Sequence, residues 1–268
     1  MIEKIRARYH YSVILLRELV ITDFKLRYQG SVLGYLWSLL RPLAIFTVLY
    51  IVFVRFLKIG AGIPHYAIYL LLGIVLWNFF VELTTASVSS IVSRGDLIRK
   101  INFPKYVIVL SSSFAALINL LLNLVVIGAF ILIFGAEVSW QAIFVMPLLL
   151  VELYLFGLGF AFLLSAINIK YRDAGFIWEV ILQAGFYATP ILYPLTLVPL
   201  KIQKLLLLNP LAQIIQDARY LIVTKHTVTS SVFNATWPRL IPITIVIIVV
   251  VVGALYFRKN SKYFAEDV

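Results

Sequence analysis

The chain opens on a mixed pattern and then turns almost wholly apolar. At 100° per residue, Glu18, Thr22, Lys25 and Gln29 fall on one narrow stripe while most other positions of residues 12–29 are apolar. This predicts an amphipathic helix with Arg17 and Arg27 at its margins. Such a helix suits a membrane interface, and an ordinary packed helix is the alternative. Gly30 and Gly34 supply a bend into the first apolar block. Six such blocks occupy residues 33–56, 66–93, 106–134, 142–167, 174–193 and 239–257. Blocks of roughly 20 residues or more cross the ~30 Å apolar layer at ~1.5 Å per residue. The pattern therefore predicts an all-α membrane protein, one domain over residues 1–268 with six transmembrane helices. The segment 194–239 carries the apolar runs LTLVPL and KLLLLNPL broken by polar residues. Re-entrant or external helices are expected over about 194–230, since broken backbone at membrane depth must be packed against protein.

Composition supports the bilayer reading. Hydrophobic residues make up 62% and charged residues 13%, against about 45–50% and about 25% in soluble domains. The absence of cysteine excludes disulfides and thiolate metal sites. The N-terminal run VILLRELVI is interrupted by Arg17 and Glu18 and no small-residue cleavage site comes after it, so a cleavable signal peptide is not expected. A net charge of +11 could suggest nucleic acid, but the cations flank the apolar blocks. Fifteen Lys and Arg lie on the side of the termini and seven on the other. Both termini are therefore expected in the cytoplasm.

Candidate chemistry is sparse. There is no G-x-x-x-x-G-K-[ST] loop and no G-x-S-x-G elbow, and His10, His65 and His226 stand far apart. No metal, no cofactor and no catalytic centre is expected on this chain, and an energy-driven function would need a separate engine. Asp96, Asp173 and Asp217 are scattered singly, which argues against a membrane-embedded glycosyltransferase. The sequon Asn234-Ala235-Thr236 has a pattern common by chance. Arg41, Glu82 and Glu152 lie inside blocks, where each costs about 2.5–3.5 kcal/mol at a helix centre. They line a path for a polar substrate, or form an Arg41–Glu82 pair between neighbouring spans, or are a snorkelling arginine and a protonated, hydrogen-bonded glutamate. The aromatics, 15% of the chain, either form interfacial belts or offer weak repeated contacts to sugar rings along a path. Two cytoplasmic connections, SRGDLIRKINFPK (93–105) and NIKYRD (168–173), mix charge with exposed apolar residues. They read equally as docking knobs for a cytosolic partner and as positive-inside anchors.

Several stretches in order add a resemblance: KLRYQGSVLGYLWSLLRP (25–42), GIVLWNFF (73–80), DLIRKINFPK (96–105), LSAINIKYRDAGFIWEVILQ (164–183), TPILYPL (189–195) and LLLLNPLAQIIQDAR (205–219). Over roughly residues 11–225 the chain resembles permease subunits of type-2 ABC exporters that export polysaccharides such as O-antigen or teichoic acids. The resemblance implies a homodimer in the bacterial cytoplasmic (inner) membrane with a translocation path at the dimer interface. Cytosolic ABC ATPase subunits beneath it would hold ATP and Mg. Residues 12–29 then look like an interface helix, and 194–225 like re-entrant helices near the external exit. Gly95, Asp96, Leu97, Ile98, Arg99 and Lys100, with Tyr171, Arg172 and Asp173, look like ATPase-coupling residues. Arg172 and Asp173 match the family's Arg-Asp pair and are expected to fix that turn against the ATPase or the interface helix. The expected substrate path includes Tyr35, Trp37, Arg41, Tyr50, Phe53, Trp77, Phe186 and Tyr187, with Arg41 toward the pyrophosphate of a lipid-linked glycan. Pro42 is expected to kink the first span at the entrance to that path. The implied function is ATP-driven export of undecaprenyl-linked, O-antigen-like polysaccharide for lipopolysaccharide biosynthesis. A teichoic acid export permease and a small-molecule or drug efflux permease are the alternatives. The tail RKNSKYFAEDV is too short for a carbohydrate-binding domain, so any glycan-reading module is expected on another chain.

Overall fold

A computed structural model describes residues 2–28, 33–59, 63–223, 232–233, 235 and 237–267. Every regular element among them is helical. Helix α1 (Ile2–Tyr28) starts well before the predicted residue 12 and packs on the third span. Gln29 of the predicted stripe and Gly30 of the predicted bend lie outside the described residues. Gly34 bears out its part, with φ +48° in the left-handed region that glycine enters without strain.

Helix α2 (Trp37–Tyr50) continues as π-helix through Ile51–Phe56. It runs on through Pro42, whose missing N–H would have bonded the carbonyl of Ser38 one turn earlier. Asn123 of the third span donates Nδ2 to that Ser38 oxygen at 3.2 Å. The proline is thus accommodated by a partner from another helix, as a bilayer requires.

The remaining elements keep the predicted order. Helix α3 (Tyr66–Ser90) leads through a 3-10 turn, Val92–Arg94, into the short α4 (Gly95–Lys100). Helix α5 (Tyr106–Phe134) ends on Gly135 at φ +63°, a left-handed cap. Helices α6 (Ala142–Lys170) and α7 (Ala174–Ala188) are joined by a turn. Then come α8 (Leu200–Leu206), α9 (Pro210–Ile222), α10 (Leu240–Asn260) and α11 (Phe264–Asp267). Asn209 caps α9 by accepting from the Leu211 N–H at 3.0 Å, with Pro210 at the first position. Residues 224–230 of the predicted re-entrant segment, His226, and Asn234 and Thr236 of the sequon lie outside the described residues.

Five helices are long and apolar enough to cross a membrane, and α7 is a shorter apolar sixth. The chain is an all-α membrane protein of about six spans. Its fifth span, expected to reach residue 193, stops at Ala188 because Thr189 precedes Pro190 and turns extended, with ψ 138°. Fifteen residues cover ~22 Å at ~1.5 Å each.

Helix α3 sits at the centre, wrapped by α2, α5, α6, α7 and α9. Its most apolar stretch is 83% buried, whereas those of the other four long helices are 11–28% buried. A helix apolar on all sides belongs in that position. Helices α6 and α10 meet through Gly159 and Gly253: a Cβ on Gly159 would lie 2.8 Å from the Val250 nitrogen, and one on Gly253 would run into the Gly159 carbonyl. Small residues let these backbones touch.

Helix α9 is pinned to α3 by Arg219, which is fully buried. Its Nε donates to the Tyr69 carbonyl at 3.0 Å, Nη1 to Pro190 at 2.6 Å and Nη2 to Ile191 at 2.7 Å. The guanidinium lies 3.5 Å from the Tyr69 ring centre and fits because residue 73 is glycine. The Tyr66 hydroxyl adds a bond to the Leu192 carbonyl at 2.7 Å. The broken backbone after α7 thereby finds donors. One of the seven cations counted on the far side is thus a buried clamp and carries no topological weight.

Candidate substrate cavity and coupling face

A cavity of about 560 Å³ opens between α2, α3 and α5. Helix α3 lines it with Asn78, Glu82, Thr85 and Ser89, spaced four, three and four residues apart on one helical face. Helix α5 adds Asn119 and Asn123, one turn apart, and α2 adds Trp37, Ser38 and Arg41. Asn119 donates Nδ2 to Glu82 at 2.5 Å, and Asn123 donates to the Asn119 carbonyl at 2.8 Å as well as to Ser38. Arg41 forms neither a hydrogen bond nor an ion pair with the described residues. The anticipated Arg41–Glu82 pair does not form, although both residues face the same space and Glu82 is held by an amide. An arginine facing a polar chamber at membrane depth offers five donors to an anionic or hydroxyl-rich guest.

Of the other expected path residues, Tyr50, Phe53, Trp77, Phe186 and Tyr187 lie outside this cavity. Trp77 is buried, 6.0 Å from the Phe186 ring, and packs onto Gly185, whose added Cβ would lie 2.9 Å from it. Tyr50 pairs with Phe46 at 5.6 Å, and Phe53 packs on the core. Tyr187 is exposed on α7, as are Phe176, Ile177, Val180 and Ile181. The Tyr35 backbone lies in the 3-10 turn Gly34–Leu36, and its side chain is outside the described residues. The polar stripe on α3 and the Asn119/Asn123 pair were missed. Their i, i+4, i+7, i+11 and i, i+4 spacing inside apolar runs was the available signal.

Glu152, the third charge inside a span, lies near Asp217 and Arg239. Asp217 accepts from Gln213 Nε2 at 2.8 Å and from Arg239 Nη2 at 3.4 Å. Oε1 of Glu152, Oε1 of Gln213 and both polar side-chain atoms of Gln216 are buried without hydrogen-bond partners among the described residues. This polar cluster lies among α6, α9 and the start of α10, away from the cavity.

Because consecutive spans alternate in direction, the ends of α3, α6 and α10 share one face with the starts of α5 and α7. That face carries α4, with Asp96, Arg99 and Lys100 exposed, Leu97 half-buried, and Gly95 and Ile98 buried. It also carries the α6–α7 turn, with Tyr171, Arg172 and Asp173 exposed and the Lys170 ammonium 5.6 Å above the Tyr171 ring. Neither the Arg172 nor the Asp173 side chain bonds another described residue. Lys105 donates to the Ile98 carbonyl at 3.4 Å and lies over the Phe103 ring, and burial lowers its pKa from the usual lysine value. Arg94, just before α4, reaches the Ser111 hydroxyl at 2.8 Å and pairs with Asp23 of α1. Among the described residues no cluster of three or more His, Cys, Asp or Glu could hold a metal.

The comparisons with known proteins agree with this architecture. Two O-antigen export system permease proteins RfbA from Klebsiella pneumoniae are each 30% identical over 264 residues, covering 98% of this chain and 98% of theirs. An O-antigen export system permease protein RfbA from Myxococcus xanthus is 31% identical over 219 residues, 80% of this chain and 82% of its own. The family model for the ABC-2 type transporter matches residues 14–223. The chain belongs to the ABC-2 type transporter family.

Proposed function

We propose that this chain is the membrane subunit of an ATP-driven exporter that moves an undecaprenyl-linked polysaccharide, O-antigen-like in kind, out of the bacterial cytoplasm. Membership of the family implies a membrane transport component working with an ABC ATPase. The observation that carries the substrate reading is near-full-length similarity to permeases named for O-antigen export, joined to a polar cavity that holds Arg41 at membrane depth. A lipid-linked glycan needs a cation for its phosphates and amides or hydroxyls for its sugars, and the cavity supplies both. Arg41 takes the pyrophosphate, and the Asn78, Asn119 and Asn123 amides suit sugar hydroxyls.

The subunit works as a homodimer. Helices α2 and α7 present apolar faces with little intramolecular cover, including Val48 and Ile51 on α2 and Phe176 and Val180 on α7. A second copy covers part of that surface and encloses the path. ATP and Mg are bound by the partner ATPase, which engages α4 and the 171–173 turn from the cytoplasm, the side of both termini. Nucleotide-driven closure of the ATPases shifts α4 and the turn, and the dimer alternates in shape.

Mass spectrometry of lipid-linked material in cells depleted of this subunit, before and after its restoration, tests the reading. Accumulated undecaprenyl-linked polymer that clears on restoration supports it and identifies the glycan, teichoic acid precursors included. An unchanged pool with the complex properly assembled refutes it in favour of small-molecule efflux. Arg41→Glu is expected to block clearance with assembly intact.

A further inference from the structure

The C-terminal residues were assigned no role by the sequence pattern, yet they fold back onto the proposed ATPase-contact element. After α10 the chain turns, and α11 packs against α4 and α6. Its anchor is Phe264, only 1% exposed. The Phe264 ring meets Phe257 of α10 edge-on at 5.2 Å, and Phe257 meets Phe162 of α6 at 5.1 Å. Around Phe264 the segment is polar and exposed, with Lys262, Tyr263 and Glu266 facing outward. A four-residue helix with a single deeply buried aromatic is held by that side chain and little else.

The opposite flank of α4 is held as well. Arg94 pairs with Asp23 of α1, 71 residues away, and bonds Ser111 of α5. Arg94 and Asp23 are only 18% and 21% exposed, so solvent screens this pair less than one on the open surface. Helix α4 itself has six residues, and its Ile98 is 3% exposed in the common core. So short an element transmits a push only through what grips it.

From this arrangement we infer that α11 is a coupling element: Phe264 fastens α4 to the last span while Arg94–Asp23 fastens it to α1, so that the three move as one body. The inference rests on α4 being the ATPase contact proposed above. A load applied to α4 is then delivered in parallel to α1 and, through the Phe264–Phe257–Phe162 stack, to α10 and α6. The contiguous contacts supply the physical route that such coupling needs.

The test uses the assembled permease–ATPase complex in lipid. Because the chain has no cysteine, Lys100→Cys and Glu266→Cys can be spin-labelled cleanly and their separation measured with and without ATP. With one doubly labelled copy paired with an unlabelled one, one unchanged, narrow distance in both states is expected, and a distance that moves with nucleotide overturns the inference. Export of the cell's own lipid-linked polymer per ATP hydrolysed is the second readout. Phe264→Ala is expected to lower that ratio at least about fivefold, the low end of typical inter-site coupling, with ATP hydrolysis retained. Phe264→Leu is expected to recover much of it. Asp23→Arg is expected to uncouple, and pairing it with Arg94→Asp to restore coupling. Unaltered ratios in Phe264→Ala and Asp23→Arg overturn the inference, as does failure of the charge swap when both single variants assemble. If Phe264→Ala does not assemble, Phe264→Leu and the charge swap decide. The Proposed function fails separately: Asp96→Arg with Arg99→Glu on α4 would then leave ATPase co-purification and stimulation intact.

Discussion

Replacing Arg219 with methionine probes the clamp that ties α9 to α3 and to the chain after α7. The change keeps an unbranched apolar stem but removes the guanidinium, which leaves the Tyr69, Pro190 and Ile191 carbonyls without their donor. Three bonds at roughly 0.6 to 1.7 kcal/mol each within a bilayer give about 2 to 5 kcal/mol of destabilisation. Removing a buried cation works in the other direction, which places the expected value near the lower end, about 2 to 3 kcal/mol. In thermal unfolding of the detergent-solubilised protein this is a fall of roughly 4 to 12 °C in midpoint. Arg219→Lys falls between, because an ammonium lacks the planar fork that meets carbonyls on two chain segments at once. Gly73 supplies an internal check, since its added Cβ would run into Arg219 Nη2. Gly73→Ala is expected to destabilise the wild type and to cost at least about 0.5 kcal/mol less in the Arg219→Met background. An Arg219→Met protein that melts within about 2 °C of wild type, or strictly additive behaviour of the pair, would refute the clamp as a determinant of stability.

The packing sets three further outcomes. Gly253→Leu should abolish accumulation of folded protein, because its Cβ would meet the Gly159 backbone, and quantifying monodisperse protein by size exclusion checks this. Asn123→Leu should cost about 1 kcal/mol by removing the Nδ2 donor to the Ser38 carbonyl, and Pro42→Ala, which returns a backbone donor to that oxygen, should reduce the loss in a thermal double-mutant cycle. Glu82→Leu should leave Asn119 Nδ2 without its acceptor and lower export in cells without lowering ATPase co-purification, whereas Glu82→Gln retains an acceptor and should be milder.

The spans were legible because a bilayer imposes a one-dimensional code: about 20 apolar residues in a row mark a crossing whatever the tertiary fold. Gly34 was legible for a similar reason, since a turn into a span calls for a residue that tolerates positive φ. The length of the fifth span was misjudged because ILYPL is apolar enough to extend the block, while Thr189-Pro190 ends the helix by local sterics. Half of the cavity was readable as spacing on α3, but apolar residues dominate that helix and masked its polar stripe. Trp77 and Phe186 looked like path residues by type; in the structure their rings meet at 6.0 Å, and Trp77 packs onto Gly185 of α7. Arg219 was out of reach. Its partners lie up to 150 positions away, and nothing in LLLLNPLAQIIQDAR distinguishes a buried clamp from a loop cation. The grip on α4 was equally hidden, since Asp23 and Phe264 come from opposite ends of the chain.

The shortness of α7 has a consequence for the surrounding lipid. Its exposed flank, with Ile177 and Ile181 among its residues, offers a hydrophobic height of ~22 Å to an apolar layer of ~30 Å. Where that flank meets lipid, acyl chains must compress or the helix must be screened by another subunit, and each ångström of mismatch costs a fraction of a kcal/mol. Bilayer thickness therefore acts as a mechanical variable on this protein. Membranes of shorter-chain lipids favour α7 exposed to lipid, and thicker ones favour its burial between copies. A cell that changes its fatty-acid length with temperature would shift that balance without altering a single residue of the transporter.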